Sequence, residues 1–495
     1  AERVFPQKLR EDPLLADAVR REVSGSLKIT DERAADERLR LHLAVGAATE
    51  RVYLSYPRIE LREARPRVPS FYGLDVMRAI TGRVPSHEEL QDAAARETRA
   101  ALAWPAPDQP VRAIDDFEHD LAVLGGLLTT RDPLAVKGRA RYLLELNEHL
   151  RRSLTERWKR WKPAWTEQDG LVAATESTKA ALTGHRLANR AYSLTALQRY
   201  ASCPYQFLLS AIYRLQPFEE PTPLQRLDPL TKGALFHEIQ TAFYRERQAV
   251  GALPLTRENA AESLEAIDRA VSQVSEQQKD LLAPAVDRVW RDEIAALRKD
   301  LRRWVVLQGE AGDGWSPERF ELSFGLPLDA DHDPHSVADP VVVDGRFVLR
   351  GSIDLVERHT TSRVLRVTDH KTGKNRTEVT TTINGGRTLQ PVLYSLVVEE
   401  MTREPVTAGR LYYCTQAGGF TSHTVQLDPI ARKTALHALE VIDRGVELGF
   451  LAASPDTGAC DYCDYRPVCG PLEEKRATKK NKGLLADLLA LRDLP

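Results

Sequence analysis

The sequence lacks long hydrophobic runs, a secretory signal and a strong net charge, and each absence excludes a class of protein. No apolar run approaches the roughly 18 residues that a membrane-spanning helix needs. The opening stretch AERVFPQKLREDP has no basic-then-apolar pattern, so nothing marks the chain for secretion. The formal net charge of −2 does not by itself indicate a polyanion partner. The composition, 42% hydrophobic and 28% charged over 495 residues, is that of a soluble globular protein with about two to four domains.

Sulfur-containing residues are also scarce. The chain starts with Ala and has two methionines, so we expect it to be a piece of a longer polypeptide. Five cysteines are too few for a disulfide scaffold, and Cys414 stands alone in a predicted strand, where we expect it to be core. The other four are Cys203, far upstream, and a dense group of Cys460, Cys463 and Cys469. Four thiolates can enclose zinc or an iron–sulfur cluster, and the spacing does not distinguish the two.

The alternation of polar and apolar residues predicts three regions. Residues 1–190 should be mainly helical, with one strand-like stretch, RVYLSYPRIEL, at 51–61. The composition shifts after Leu187, and we assign residues 191–472 to a second domain. Residues 473–495 should form a solvated basic linker, containing KRATKKNK, and a short last helix.

The second domain should begin with helices and continue as a sheet. Ser193 can cap the first helix, whose apolar positions recur at helical spacing. From about Glu318 the pattern changes to short β runs, and Asp344-Gly345 between alternating apolar residues predicts a hairpin. Predicted helices lie at 192–215, 230–248 and 389–401. This order predicts an α/β unit whose sheet starts largely antiparallel.

A second predicted hairpin brings two acids together. IDLVER and RVLRVTDHK flank HTTS, and a turn centred there places Asp354 opposite Asp369, with Lys371 on the same face. Opposed β-carbons lie about 4.5–5.5 Å apart, and like charges there destabilise the pair. A divalent cation such as Mg²⁺ or Mn²⁺ would relieve that repulsion. The residues alone also permit a simpler interpretation, a surface ion pair between Asp369 and Lys371 at a strand end.

Four ordered motifs resemble the PD-(D/E)XK nuclease superfamily, specifically its RecB/AddB-like branch. Asp354 stands in RGSID, ahead of TDHKTGK. Upstream, Gly233 and His237 match the Gly-x-x-x-His of that branch. Downstream, Gln390 and Tyr394 match its Gln-x-x-x-Tyr, at a spacing that puts both on one helix face. The resemblance implies an α/β, restriction-endonuclease-like core, with a mixed sheet flanked by helices.

The resemblance also implies roles for the matching residues. His237, Asp354 and Asp369 would be metal ligands, together with the backbone carbonyl of His370. Lys371 would orient or activate the attacking water and neutralise charge on the phosphate. The implied reaction is the Mg²⁺- or Mn²⁺-dependent hydrolysis of DNA phosphodiesters by an exonuclease.

Further residues would assist this reaction. Gln390 and Tyr394 would position the lysine or the DNA backbone. Arg350 would contact a phosphate, although an ordinary strand-surface arginine fits its position equally well. Glu321, in ERFELSF, is a candidate for a further acid near the metal.

The cysteines are similar to those of AddB-type nucleases, in which one precedes the nuclease fold and three follow it around a 4Fe–4S cluster. This likeness implies a structural 4Fe–4S cluster, with structural Zn²⁺ as the alternative. The implied ligands are Cys203, Cys460, Cys463 and Cys469.

The N-terminal region resembles a degenerate helicase domain. DERAADERLRLHLAVGAATERVYLSYP (31–57) is similar to the last motif of superfamily 1 helicases, but Ala47 stands where the helicase arginine contacts the transferring phosphate. The chain also has no Gly-x4-Gly-Lys-Ser/Thr loop.

A basic and aromatic stretch lies at residues 151–165, RRSLTERWKRWKPAW. It interleaves six basic residues with three tryptophans, a mixture that could hold phosphates and stack bases. A basic amphipathic helix with buried tryptophans explains it equally well.

The resemblance as a whole implies the C-terminal part of an AddB-like subunit of a helicase–nuclease for double-strand break repair. Its substrate would be single-stranded DNA unwound by an AddA-like, ATP-driven helicase subunit. The implied location is the cytoplasm of a bacterial-type cell, at the nucleoid, without a membrane partner. The alternatives are a stand-alone iron–sulfur single-strand exonuclease and a DNA-binding scaffold with a silent nuclease fold.

Overall fold

A computed structural model describes the chain except for residues 1–4, 6–8, 10, 13–14, 58, 61–64, 99–105, 130–144, 146–147, 173–174, 218–223, 225, 329–331 and 471. The chain divides into two compact units. The first unit comprises Ala1–Lys162 with Cys460–Lys479, and the second comprises Pro163–Ala459 with Lys480–Pro495. Within the described part of the chain, no helix combines the length and apolarity that a membrane crossing requires.

The described part of the first unit is mainly helical. One helix shows how local signals set its ends: Ser70 accepts a hydrogen bond from the N–H of Tyr72, and Gly82 ends the helix with a left-handed φ of 75°. The helices are Asp17–Val23, Thr30–Gly46, Phe71–Thr81, His87–Thr98, Asp116–Thr129, Glu148–Trp161, Arg466–Cys469 and Glu473–Ala477, with a 3-10 turn at Pro110–Arg112.

The strand predicted at 51–61 is wrong over most of its length. Residues 51–57 have no regular secondary structure, and a strand of two residues, Ile59–Glu60, pairs with Arg65–Pro66. Residues 58 and 61 lie outside the described part of the chain. Tyr53 is 83% exposed, and its two neighbours are also exposed. Strand preference reflects the fit of a side chain to a half-buried pleated surface, and these side chains remain in solvent.

The second unit contains a seven-stranded mixed sheet. Its strands are β1 (Tyr192–Ser193), β2 (Trp315–Phe324), β3 (Val341–Val343), β4 (Phe347–His359), β5 (Leu365–Lys371), β6 (Val406–Tyr413) and β7 (Ser422–Gln426). The sheet order is β1-β4-β5-β6-β7, and β2 and β3 also pair with β4. The β1–β4 and β5–β6 pairs are parallel, and the others are antiparallel. The predicted antiparallel start of the sheet is therefore confirmed.

Helices cover this sheet with two hydrophobic cores. They are α1 (Leu194–Ser202), α2 (Pro229–Ala249), α3 (Ala260–Leu282), α4 (Asp287–Ala311), α5 (Gln390–Thr402), α6 (Pro429–Glu447) and α7 (Ala486–Arg492), with shorter helices at Glu176–Thr183 and Pro204–Phe207 and a π-helical turn at Leu208–Ile212. One core joins the sheet to α1, α5, α6 and α7, and the other joins it to α2, α3 and α4. Because helices pack on it from both sides, β5 is buried along its length up to the half-buried Lys371. A mixed sheet flanked by helices agrees with the predicted fold class.

Local signals in the second unit also act as predicted. The Ser193 side chain accepts a hydrogen bond from the N–H of Ala196 and caps α1. Asp344 and Gly345, with φ of 54° and 62°, turn the chain between β3 and β4. The two strands pair from Val343 and Phe347 onward. These left-handed conformations suit Asp and Gly, and the predicted hairpin is confirmed.

The second unit begins N-terminal to the predicted boundary at residue 190, because Trp165, Leu182 and Leu187 contribute to its larger core.

The basic run KRATKKNK, predicted to be a solvated linker, is only partly exposed to solvent. Lys480 is buried, and its ammonium lies 2.6 Å from Asp169 Oδ2 and donates to the carbonyl of Ala164. A buried ammonium needs such an anionic partner, and the charge count of the run could not reveal it.

Candidate active site

The β4–β5 hairpin sets the register of the candidate site. Leu355 pairs with Thr368 and Val356 with Val367, so the next step along the ladder brings Asp354 level with Asp369. This register is the predicted one, and a slip of one residue would have put the acids on different faces. The Asp354 carboxylate also accepts a hydrogen bond of 2.6 Å from the backbone N–H of His370.

A third carboxylate comes from the neighbouring strand β2. Phe320 pairs with Leu355 and Leu322 with Ile353, so Glu321 stands level with Asp354. Glu321 has a φ of 54°, a conformation that is uncommon outside glycine and concentrates at functional sites. Its Oε2 accepts a hydrogen bond of 2.9 Å from the hydroxyl of Ser352. Three adjacent strands thus supply one acid each at the same level.

The pKa of Asp354 reports this crowding. Burial raises the pKa of Asp354 to about 7; the nearby His237 opposes the rise, and the carboxylates of Asp369 and Glu321 add to it. A carboxyl group in this setting resists ionisation unless a cation is close by. The charge distribution therefore fits a site for a positive ion.

His237 approaches the acids from α2. Its Nδ1 lies 3.3 Å from Asp354 Oδ2. It follows Gly233 by one helical turn, and a side chain at Gly233 would contact the Thr372 hydroxyl just beyond β5. The helix face that carries both residues of the motif is therefore the face turned toward the end of the lysine strand.

His370 is buried behind the acids. The motif resemblance assigns only its backbone carbonyl to the metal site, but its imidazole also lies close to His237 and Asp354. The ring is 4% exposed, beside Trp304 and Tyr412, and its Nε2 has no hydrogen-bond partner among the described residues. One potential ligand atom from each of His237, Asp354 and His370 lies within 4.8 Å of the other two. Burial and the positive groups around it hold the pKa of His370 well below its usual range, so the ring is neutral and has a lone pair to offer.

Asp369 and Lys371 face the same side of β5. Lys371 Nζ lies 2.6 Å from Asp369 Oδ2, an ion pair that lacks hydrogen-bond geometry. Asp369 is 7% exposed. Burial lowers the pKa of Lys371, but the carboxylates of Asp369 and Asp354 outweigh it and raise that pKa above the usual range. Lys371 is therefore a cation beside the acids.

The Gln-x-x-x-Tyr motif begins α5. Gln390 Oε1 accepts a hydrogen bond of 2.9 Å from the side chain of Gln198 on α1, a partner that the motif did not predict. A β-carbon added to Gly351 would lie 3.3 Å from the hydroxyl of Tyr394, so glycine there allows the ring to come close to β4. Burial raises the pKa of Tyr394, and the three carboxylates of the site add to the rise. Tyr394 therefore lies within electrostatic range of the three acids, and Gln390 joins α5 to α1.

Arg350 is exposed on β4, where its backbone pairs with Ser193 in β1. Its predicted contact with a phosphate stays a prediction.

Sequence reasoning missed a buried ionic network next to the site. Glu357 on β4 accepts hydrogen bonds from Arg366, Thr368 and Arg410, which lie on β5 and β6. Burial alone would raise the pKa of Glu357, but Arg410 and Arg366 lower it to about 2. Arg366, Thr368 and His370 alternate along β5 on one face, and this period of two was the signal in the sequence that could have revealed the network.

The predicted cluster cysteines belong to different units. Cys203 caps the end of α1 in the second unit, whereas Cys460, Cys463 and Cys469 belong to the first. The N–H of Cys460 donates to Glu474 Oε1. Their joint role as ligands stays a prediction. Cys414 is fully buried in the core that includes α2, α3 and α4, as predicted.

The donor set of the site fits a divalent cation. Asp369 Oδ2 and His370 Nε2 are buried polar atoms without hydrogen-bond partners among the described residues, and carboxylate and imidazole groups both ligate divalent metals in proteins. Two carboxylates and an imidazole can together hold a divalent cation, and the ammonium of Lys371 beside them can attract a negatively charged group.

A model of the PD-(D/E)XK nuclease superfamily matches residues 191–470, and the chain belongs to this superfamily. Membership implies nuclease activity, the use of divalent metal ions and a DNA substrate. The predicted nuclease class is thereby confirmed. No curated protein matches the chain.

Proposed function

We propose that this protein is a Mg²⁺- or Mn²⁺-dependent exonuclease that acts chiefly on single-stranded DNA. The observation that carries the proposal is the convergence of Glu321, Asp354 and Asp369 at one level of three adjacent strands, with Lys371 beside them. His237, Asp354 and Asp369 would hold the metal ion with the carbonyl of His370. When bound, the ion would polarise the phosphoryl oxygen and acidify a water molecule.

Lys371 contributes a fixed positive charge to this reaction. Because its pKa is raised, the ammonium is protonated at neutral pH and serves as a hydrogen-bond donor rather than as the initial base. It would orient the attacking water and stabilise the charge that develops on the phosphate. Glu321, held by Ser352, would be a further acid facing the metal.

Tyr394, Gln390 and Arg350 would position the substrate. The Tyr394 hydroxyl lies close to Gly351 of β4, and its raised pKa keeps it a neutral donor that can bind a phosphate oxygen. Gln390 would steady α5 through its bond to Gln198. Arg350 is exposed and could pair with the DNA backbone.

The preference for single strands is supported by the Glu148–Trp161 helix. Trp158 and Trp161 are 58% and 38% exposed, so two of the three tryptophans in the stretch 151–165 are not buried. Lys162 lies 3.8 Å from the Trp158 ring centre and Lys479 lies 4.8 Å from that of Trp161. Exposed aromatic faces among cations are what unpaired bases and phosphates require.

An AddB-like role in double-strand break repair is the biological setting we propose, in a bacterial-type cytoplasm at the nucleoid. Ala47 in place of the helicase arginine supports a chain that does not hydrolyse ATP and depends on an AddA-like motor subunit for single strands. A 4Fe–4S cluster held by cysteine would stabilise the domain, and structural Zn²⁺ is the alternative. The proposed ligands are Cys203, Cys460, Cys463 and Cys469, whose thiols fit either group.

The test is incubation of the chain alone with end-labelled single- and double-stranded DNA and Mg²⁺ or Mn²⁺, with and without chelator. We expect single strands to be shortened from an end and chelator to stop the reaction. Cleavage that persists in chelator would overturn the metal mechanism. Fast degradation without a motor subunit would favour the stand-alone exonuclease, and binding without cleavage would favour the silent scaffold.

A further inference from the structure

We infer that the imidazole of His370 is itself a ligand of the active-site metal, so that the site has two nitrogen donors and prefers Mn²⁺ or a softer first-row ion to Mg²⁺. This inference rests on the proposed metal-dependent function. It assigns to the middle residue of Asp-His-Lys a role that the resemblance gives only to its backbone.

The first argument is the position of the ring. His370 is 4% exposed and its ring centre lies 6.2 Å from that of His237. By alternation the ring leaves β5 on the face away from Asp369 and Lys371, so it would reach the cation from the side of His237 and Asp354. Ligand atoms of His237, Asp354 and His370 lie within 4.8 Å of one another. A single cation can therefore be reached by one carboxylate and two imidazoles.

The second argument is the unmet bonding capacity of the ring. His370 Nε2 is buried and has no hydrogen-bond partner among the described residues, although the ring edge-packs against Trp304. A buried polar atom without a partner is destabilising, because it has lost its hydrogen bonds to water and gained none in the protein. Packing against Trp304 does not satisfy this nitrogen, whereas a bound metal ion would accept its lone pair.

The chemistry of the donors then sets the metal preference. Mg²⁺ requires near-octahedral oxygen ligands and keeps several waters, whereas imidazole suits zinc, iron, nickel and copper, and Mn²⁺ belongs to the same first-row series. Exchanging one carbonyl or water oxygen for a second imidazole moves the site away from Mg²⁺. The acids that remain, Asp354 with Asp369 and Glu321 nearby, keep a hard component that still suits Mn²⁺.

The experiment measures metal binding without DNA. Mn²⁺ and Mg²⁺ are titrated by calorimetry into wild type and into His370→Phe, which keeps a ring beside Trp304 and Tyr412 and keeps the backbone carbonyl. The control is His423→Phe. His423 lies on β7, and its ring is hydrogen-bonded to the carbonyl of Thr381. We expect His370→Phe to weaken Mn²⁺ binding about tenfold or more while Mg²⁺ binding changes little, and the control to leave both unchanged.

A spectroscopic count of ligands makes the test independent of any variant's stability. Pulsed electron paramagnetic resonance of the Mn²⁺-loaded wild type should show couplings to two histidine nitrogens, and His237→Ala should leave one. A single coupled nitrogen in wild type would overturn the inference and leave the proposed nuclease intact. A wild type that binds neither ion would instead sink the proposed metal-dependent function.

Discussion

At the scale of single residues, the site is a concentration of negative charge with few positive groups. Glu321, Asp354 and Asp369 converge from three strands, Lys371 pairs with Asp369, and His237 lies beside Asp354. The raised pKa of Asp354 follows from its burial and this imbalance. Such a concentration of buried negative charge is costly for folding unless a cation lies close by, and the proposed metal ion would remove that cost.

Replacing Lys371 should slow DNA cleavage without weakening DNA binding. Lys371→Ala should lower the DNA cleavage rate by about 100- to 1,000-fold, because a fixed charge at the developing phosphate charge is lost. DNA binding and the melting temperature should change little, since the side chain is only half-buried. The matched control is Lys374→Ala, an exposed lysine three residues further on. Equal losses in both variants would point to general phosphate attraction instead of a site role.

At the scale of elements, β4, β5 and β6 are held together beside the site by the network around Glu357. Glu357→Ala should destabilise the second unit by about 3–5 kcal/mol, because the buried guanidinium groups of Arg366 and Arg410 lose their anion. Urea unfolding measures this loss. Glu378→Gln, at an exposed residue, should have no measurable effect.

The same network should make stability depend on pH in a defined window. Glu357 has a folded pKa of about 2, below its ordinary value near 4.5. Its full contribution to the free energy of unfolding is therefore present above about pH 4.5. It should be lost as the pH falls toward 2. The difference in unfolding free energy between wild type and Glu357→Gln should therefore narrow as the pH is lowered from 7 to 3. A constant difference would show that the carboxylate charge is unimportant.

The tryptophan helix should bind unpaired bases. Trp158→Ala with Trp161→Ala should weaken binding of an oligothymidine by about tenfold or more, measured in chelator, because each lost stacking contact is worth about 1–3 kcal/mol. Binding should also quench tryptophan fluorescence in wild type. Tyr53→Ala removes an aromatic residue that is 83% exposed in the same unit and should bind like wild type. Unchanged affinity of the double variant would exclude this surface from DNA binding.

At the scale of the whole molecule, the cysteines test whether a metal cluster stabilises the protein. Anaerobically purified protein should be brown and contain about four irons if the cluster is present. Cys203→Ser should lose colour and stability together, whereas Cys414→Ser, in the core, should keep the colour. Stoichiometric zinc in colourless, active protein would establish the alternative.

The absence of ATP hydrolysis is the second prediction at this scale. The proposed likeness to a degenerate helicase domain puts Ala47 in the place of the arginine, so the polypeptide alone should show no DNA-stimulated ATPase activity. We expect a stable complex with a separate motor subunit. Robust ATP turnover by the polypeptide alone would make it a motor and nuclease in one chain.

The sequence by itself determined those features that depend on local order. The β4–β5 register followed from turn position and alternation, which placed Asp354 level with Asp369. The Ser193 cap and the Asp344-Gly345 turn also needed only neighbouring residues. These features are predictable because their energetics lie within a few residues.

Tertiary structure decided whatever depends on contacts between distant segments. It brought Glu321 beside Asp354, buried Lys480 against Asp169 and left Tyr53 and its two neighbours exposed. It also turned the His370 ring toward His237. Local propensity cannot report such outcomes, because burial and the pairing of charges are decided by side chains from distant parts of the chain.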